Sequence, residues 1–503
     1  MNGRRKPLPA GRQRRRAIAV ALATLIATGG LAGPGQVGDI PVFASAPFAS
    51  AQAAQSSPAG LSGSNSWTAP AAQPALAAPN RVTPVAELLD PAAPLPAPGA
   101  IRGLAGKHLG AEQVGTASVS VRDLESGEEL FSASPNQALP PASTMKLLTA
   151  TAAMEVLGPD ATLTTAAVLT VTGARSGIVT LVAGGDTTLS PAGARTGEPV
   201  SRAGLGDLAW EAAVELRRRG VEKVQVRLDD TIFSGPAVYP DWEWSLGTTW
   251  GAPTTPLAIM GGRAGPVFDA STYLADPALA AADHFRGLLA SAGRDASLAL
   301  PLLAVTGTVA RAATPAQSEP LAQIESAPVR ELVAYMLRHS NNNLAESLGR
   351  MTALALGRPG SFEGCSAAVS KTLAGLNLVV ASLRMDDCSG LSHGSTVSAA
   401  TLTSVLALSG DSDASELGLI ARNLPTAALQ GTLTERFQGT LAAGNLRAKT
   451  GTLTGVTALA GTVQTAGGRE LVFAVIANPG DAIWTDSARQ SIDRFVAGLA
   501  ALA

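Results

Sequence analysis

Strand-forming runs lie near both ends of this chain, and none can stand alone. "TASVSVRD", from Thr116, alternates apolar and polar residues; "ESGEE" makes a turn and "LFSAS" returns. Near the other end, "GVTALAGTVQT" and "RELVFAVIAN" are β-branched runs joined across Gly467-Gly468, a hairpin signal. Every strand needs partners for its backbone N–H and C=O groups. The economical solution is one antiparallel sheet built from both ends. Helices cover its faces, among them "DSARQSIDRFVAGLAALA" after Pro479 and a helix from Ser143 to about Leu157 that stops at Gly158-Pro159. This is an α+β body, formed by residues 101–163 and 325–503.

What lies between reads as a second body inserted into the first, residues 164–324. "AAVLTVTG", "SGIVTLVAGG", "VEKVQVRLDD" and "PLLAVTGTVAR" read as strands and "GDLAWEAAVELRRRG" as a helix. A tryptophan-rich loop runs from Trp242 to Trp250. Arg217, Arg218 and Arg219 read as the solvated face of that helix.

The first residues differ in kind. "RRKPLPAGRQRRR" is basic and "AIAVALATLIATGGLAG", Ala17 to Gly33, is apolar. These are the two leading parts of an export signal, so residues 1–51 are expected to be a cleaved signal or an uncleaved membrane anchor. Residues 52–100 are rich in Ala, Pro, Ser and Gln, and serve as an extended spacer. The rest of the protein is expected to work at the extracytoplasmic face of the cell envelope, meeting the membrane only through its N-terminal segment.

A net charge of −2 leaves no overall basic field for nucleic acid. The four histidines show no metal-binding spacing, two cysteines cannot build a four-cysteine zinc site, and there is no phosphate-loop motif. No metal or cofactor is expected. Cys365 and Cys388 remain open between two buried thiols and a disulfide, which the exported compartment slightly favours.

The helix that begins in "PPASTMKLLTA" places Ser143 and Lys146 three residues apart, on one face. A serine hydroxyl needs a base within hydrogen-bonding reach to become a nucleophile. A lysine can be that base if burial brings its pKa toward ~7–8. The plain alternative is a helix-capping serine beside a lysine that stretches to solvent. Two later stretches weigh against it. "RHSNNNLAESLGR" holds Ser340-Asn341-Asn342, and "LRAKTGTLTG" holds Lys449-Thr450-Gly451. In order, these form the S-x-x-K, S-x-N and K-T-G set of serine acyl enzymes that recognise penicillin.

The likeness extends to "LVAGGDTTL", "DDTIFSGPA", "DDCSGLS" and "GTLTERF". From about residue 115 to 480 the chain resembles the type-4, class C low-molecular-weight penicillin-binding proteins, which are D-alanyl-D-alanine carboxypeptidase/endopeptidases. That resemblance implies a penicillin-binding-protein/β-lactamase-like transpeptidase fold with a body inserted between the first two motifs. The gap from Ser143 to Ser340 is short for the family, which implies that one usual inserted subdomain is reduced or absent. The substrates implied are peptidoglycan stem peptides, with β-lactam antibiotics as covalent inhibitors.

By the same resemblance, Ser143 attacks the penultimate D-Ala carbonyl, Lys146 takes its proton and Ser340 relays a proton to the leaving amine. Asn342 holds the substrate amide and orients Lys146. Lys449 supplies positive potential, while Thr450 and Thr452, around Gly451, bind the terminal carboxylate. The N–H groups of Ser143 and Thr452 form the oxyanion hole. His339 reads as incidental, and Asp186 and Asp387 as turn-formers. Two other readings stand beside the peptidase: a β-lactamase, for which no deacylating glutamate is apparent, and a non-catalytic wall-binding scaffold.

Overall fold

The computed structural model describes residues 93–242, 250–263, 272–297, 299–378, 380, 382–408, 417–480 and 483–503. The expected signal or anchor (1–51) and nearly all of the spacer (52–100) lie outside the described residues. No helix among the described residues is long and apolar enough to cross a membrane.

The first described element is a helix, α1 (Pro98–His108), not the strand with which the sequence reading opens the fold. Pro98 starts it, where a missing N–H costs nothing. Strands β1 (Thr116–Asp123) and β2 (Glu129–Ala133) form a hairpin. A 3-10 turn, Ala142–Met145, then leads into α2 (Lys146–Leu157).

The next segment builds a sheet of its own. Its elements are β3 (Thr164–Gly173), β4 (Ser176–Val182), α3 (Leu205–Arg218), β5 (Lys223–Asp229), α4 (Pro277–Gly293), β6 (Ala304–Arg311) and β7 (Glu319–Glu325). The sheet order is β6-β5-β4-β3-β7. The β4–β5 and β5–β6 pairs are parallel, which requires crossovers, and α3 and α4 supply them. The sequence reading singled out neither α4 nor β7. Alanine-rich α4 lacks a strong polar–apolar stripe, and β7 is polar and interrupted by Pro320. Arg217 also departs from the reading. It is 1% exposed, and its guanidinium donates to the carbonyls of Pro301, Asp295 and Leu300. Arg218 and Arg219 stay exposed. Period alone could not show that a loop folds back over the first of the three arginines.

The chain then forms α5 (Val329–His339), α6 (Asn342–Ala355), α7 (Phe362–Gly375) and α8 (Ala399–Ala407). It ends with β8 (Leu446–Leu453), β9 (Val456–Gln464), β10 (Glu470–Asn478) and α9 (Thr485–Ala500). The two chain ends meet in one antiparallel sheet, β2-β1-β10-β9-β8. β1 and β10 pair from Thr116↔Asn478 to Asp123↔Leu471.

"RELVFAVIAN" shows no alternation because both faces of β10 are covered. Leu471, Phe473, Val475 and Ala477 enter one core with Ile492, Phe495 and Leu499 of α9, whose spacing is helical. Val472, Ala474 and Ile476 enter the opposite core with α2, α5 and α6. β8 is left as an edge strand, and that edge carries the site.

Candidate active site

Ser143 lies in the 3-10 turn rather than in the α-helix itself. The residue before it, Ala142, adopts φ +47°, a left-handed conformation uncommon for a residue with a Cβ. Lys146 opens α2 and is fully buried. It therefore does not stretch to solvent, as the plain alternative requires. Its Nζ donates to Ser143 Oγ (3.0 Å), Asn342 Oδ1 (2.5 Å) and the Ser389 carbonyl (2.7 Å). Burial lowers the Lys146 pKa from 10.5 to about 7, while the carboxyls of Asp387 and Glu346 pull the other way. Near neutral pH, a substantial share of Lys146 is thus an unprotonated amine beside the hydroxyl.

Ser340 ends α5 in a left-handed conformation, φ +54°. Asn341 then caps α6, accepting from Leu344 N. This break between helices is what turns Ser340 and Asn342 into the cleft. Asn342 also donates through Nδ2 to the Trp250 carbonyl, so the arm assigned to the substrate amide already has a partner. Asn343 anchors the same loop, exchanging hydrogen bonds with Ala252 N and O. His339 is exposed, with its ring against Tyr335.

On β8, Lys449 is fully buried and donates to Ser340 Oγ (2.9 Å) and the Thr450 carbonyl (2.8 Å). Burial holds its pKa well below 10.5, and Lys146 and Arg436 push it further down. Thr450 Oγ1 donates to Thr432 Oγ1, and Thr452 is exposed. A side chain at Gly451 would place Cβ 2.5 Å from the Pro141 carbonyl, so only glycine lets β8 approach the Ser143 turn this closely.

The Ala448 N–H donates outward to the Pro425 carbonyl, away from β9. Strand alternation then puts the Thr450 and Thr452 N–H groups on the same outer edge. Ser143 lies in the opening turn of a 3-10 helix, where N–H groups lack intrahelical partners. The three motifs thus meet at one edge, with two lysine nitrogens, two hydroxyls and an amide.

A family profile described as the D-Ala-D-Ala carboxypeptidase 3 (S13) family matches residues 105–278 and 268–499. The chain belongs to this S13 family. Among its relatives is "Carboxypeptidase DacB" of Mycolicibacterium smegmatis, 35% identical over 416 residues, covering 81% of this chain and 85% of the relative. A "D-alanyl-D-alanine carboxypeptidase" of an Actinomadura species is 30% identical over 434 residues, covering 72% and 77%. The crystal structure of penicillin binding protein 4 (dacB) from Haemophilus influenzae matches with a TM-score of 0.62 at 22% identity. That match covers 79% of this chain and 98% of the other, and shows a shared fold.

Several residues of this S13 site carry no signal in the sequence reading. Ser389 contributes only a carbonyl, and Thr432 belongs to a phrase with no assigned role. Glu346 is buried behind Lys146; burial raises its pKa to about 8, and Oε1 accepts from Cys388 N (3.0 Å). Asp387 is a turn-former, as expected, but its turn holds Ser389 against Lys146. Asp186 also shapes a turn, accepting from Thr188 N and Oγ1; burial raises its pKa to about 6.

Cys365 and Cys388 are both buried free thiols, not the disulfide that the compartment favoured. Cys365 Sγ instead donates to the Phe362 carbonyl one turn back in α7. Ligand atoms of Glu346, Cys365 and Cys388 lie within 4.8 Å of one another. Burial raises the pKa values of Glu346 and Cys388, so both favour their protonated forms, which a metal ion would have to displace.

Proposed function

We propose that Ser143 is the nucleophile and Lys146 the general base of a serine-type D-Ala-D-Ala carboxypeptidase acting on peptidoglycan stem peptides. One observation carries this reading: a fully buried Lys146 with Nζ 3.0 Å from Ser143 Oγ and a pKa of about 7. Ser143 Oγ attacks the carbonyl of the penultimate D-Ala as its proton passes to Lys146 Nζ. The N–H groups of Ser143 and Thr452 receive the oxyanion, each such donor being worth ~10²–10³ in rate. The C–N bond then breaks, and the leaving D-Ala amine takes a proton through Ser340, which Lys449 holds. Lys449, Thr450 and Thr452 face the terminal carboxylate, and Asn342 orients Lys146. Water releases the acyl group. A β-lactam forms the same ester with Ser143, but its ring-opened acyl group leaves slowly.

We further propose that residues 164–324 form an inserted domain, with 101–163 and 325–503 as the catalytic domain. The separate sheet built by 164–325 supports this division. The family's cell-wall substrate and the basic, apolar N-terminal segment together support export.

A fluorescent penicillin tests the reading. The expected result is a stable adduct that is lost in Ser143→Ala. Rapid turnover of the penicillin would make the protein a β-lactamase, and no adduct would make it a scaffold. Digestion of linear and cross-linked muropeptides then measures carboxypeptidase against endopeptidase action.

A further inference from the structure

The turn 387–392 touches the nucleophile turn and α2 through three consecutive residues. The Cys388 carbonyl accepts from Thr149 Oγ1 (2.7 Å). The Ser389 carbonyl accepts from Lys146 Nζ (2.7 Å). Gly390 lies so close under the nucleophile turn that a Cβ there would stand 1.9 Å from the Ala142 carbonyl. Whatever fixes this turn therefore fixes the third acceptor of the lysine.

Asp387 fixes it. Its Oδ1 accepts from Gly390 N (2.7 Å), and its Oδ2 accepts from Ser392 N (2.7 Å) and from the indole Nε1 of Trp242 (2.8 Å). The neighbour of Trp242 adds a second grip: Asp241 Oδ2 accepts from His393 N (2.7 Å) and from Ser392 Oγ (3.0 Å). Asp241 and Trp242 belong to the segment between β5 and α4. Trp242 is 2% exposed and packs edge-on against Phe362, next to Ala142 and Leu391. A buried carboxyl whose two oxygens accept three hydrogen bonds is a rigid frame.

We propose that Asp387 is a positioning residue for the acylation step, holding the Ser389 carbonyl on Lys146, and that Asp241 and Trp242 clasp it from the inserted segment. The inserted body thereby sets the orientation of the catalytic base. This rests on the reading of Lys146 as that base.

The charged groups around Lys146 are Asp387 from this turn, Glu346 from α6 and Lys449 from β8. Asp387 is the stronger of the two carboxyl influences that favour protonated Lys146, and Asp387→Asn removes it. The neutral amine then persists to lower pH.

The experiment measures the acylation rate with a fluorescent penicillin against pH, on the full chain, for wild type, Asp387→Asn and Trp242→Phe. Asp387→Asn turns one acceptor into a donor and is expected to acylate about tenfold more slowly or worse, as small misplacements of a reacting group do. The acid limb of its pH profile moves to lower pH. Trp242→Phe keeps the packing and the Asp387 charge, loses one hydrogen bond, and shows a smaller loss of rate, about threefold, with the acid limb where it is in wild type.

A structural role alone would lower the melting temperature of both variants and leave the rate and limb of the folded protein unchanged; that result overturns the proposal. If Asp387→Asn does not fold, Trp242→Phe decides by its rate: a loss of about threefold in the folded protein supports the proposal, and an unchanged rate overturns it. Absence of an adduct with wild type would instead sink the reading of Lys146.

Discussion

Two helices of this protein, α3 and α2, each bury a large cation, and they use it in opposite ways. On α3, Arg217 passes its guanidinium to backbone carbonyls of the segment after α4. Arginine cannot deprotonate at any working pH, so this cation is a fixed staple. On α2, Lys146 is just as deeply buried, but its partners are a serine hydroxyl, an amide oxygen and a carbonyl. Lysine can lose its charge, and burial makes that loss easy near neutrality. With Lys146 as the proposed base, equal burial yields structure in one place and chemistry in the other. The difference lies in the side chain's own pKa and in whether one acceptor is a reactive group.

The largest expected effect tests the chemical half. Lys146→Met is expected to lower the rate of penicillin acylation by about 10³, within the range for losing a general base, while the protein stays folded. Stopped-flow or gel-based labelling measures it. A variant that acylates normally would erase the contrast with Arg217.

The structural half is tested by Arg217→Ala. It leaves the Pro301, Asp295 and Leu300 carbonyls without this donor and vacates the space of a buried side chain, and is expected to destabilise the protein by about 3 kcal/mol. Denaturant unfolding measures this, and the acylation rate per folded molecule should not change. A loss of rate without a loss of stability would mean that the staple reaches the cleft.

A smaller effect sharpens the comparison through pH. Lys146 titrates near 7 when folded and near 10.5 when unfolded. Between those values the unfolded chain holds a proton that the folded chain lacks, so stability rises with pH across that window. Stability curves for wild type and Lys146→Met should diverge there, with wild type gaining the extra slope. Arg217→Ala should leave that slope as it is. The acylation rate of wild type should likewise rise with pH through about 7, as the neutral amine appears.

Much of this was legible from residues alone. Runs at Thr116 and in "RELVFAVIAN" demanded a shared sheet, and β1 and β10 pair along their whole length. Ser143 and Lys146 are close in sequence, so local geometry nearly guarantees their contact. Ser340, Asn342 and Lys449 were found through motif order, and their side chains do converge. Other parts carried no local signal. Arg217 looked like any surface arginine because its partners lie in a distant loop. Ser389 acts through its backbone, which every residue possesses. The cysteines' bonding depends on the approach of two distant segments, and the structure leaves them as thiols.

The sequence by itself determined which segments must become strands and which residues could do acyl chemistry. Those follow from side-chain period and from motifs whose members are near neighbours along the chain. Only the tertiary structure decided how deeply Lys146 is buried, which carbonyl holds it, and that Asp387 and Trp242 stand behind that carbonyl. Burial and carbonyl direction arise when distant segments pack, and a pKa responds to that packing rather than to the neighbours in sequence.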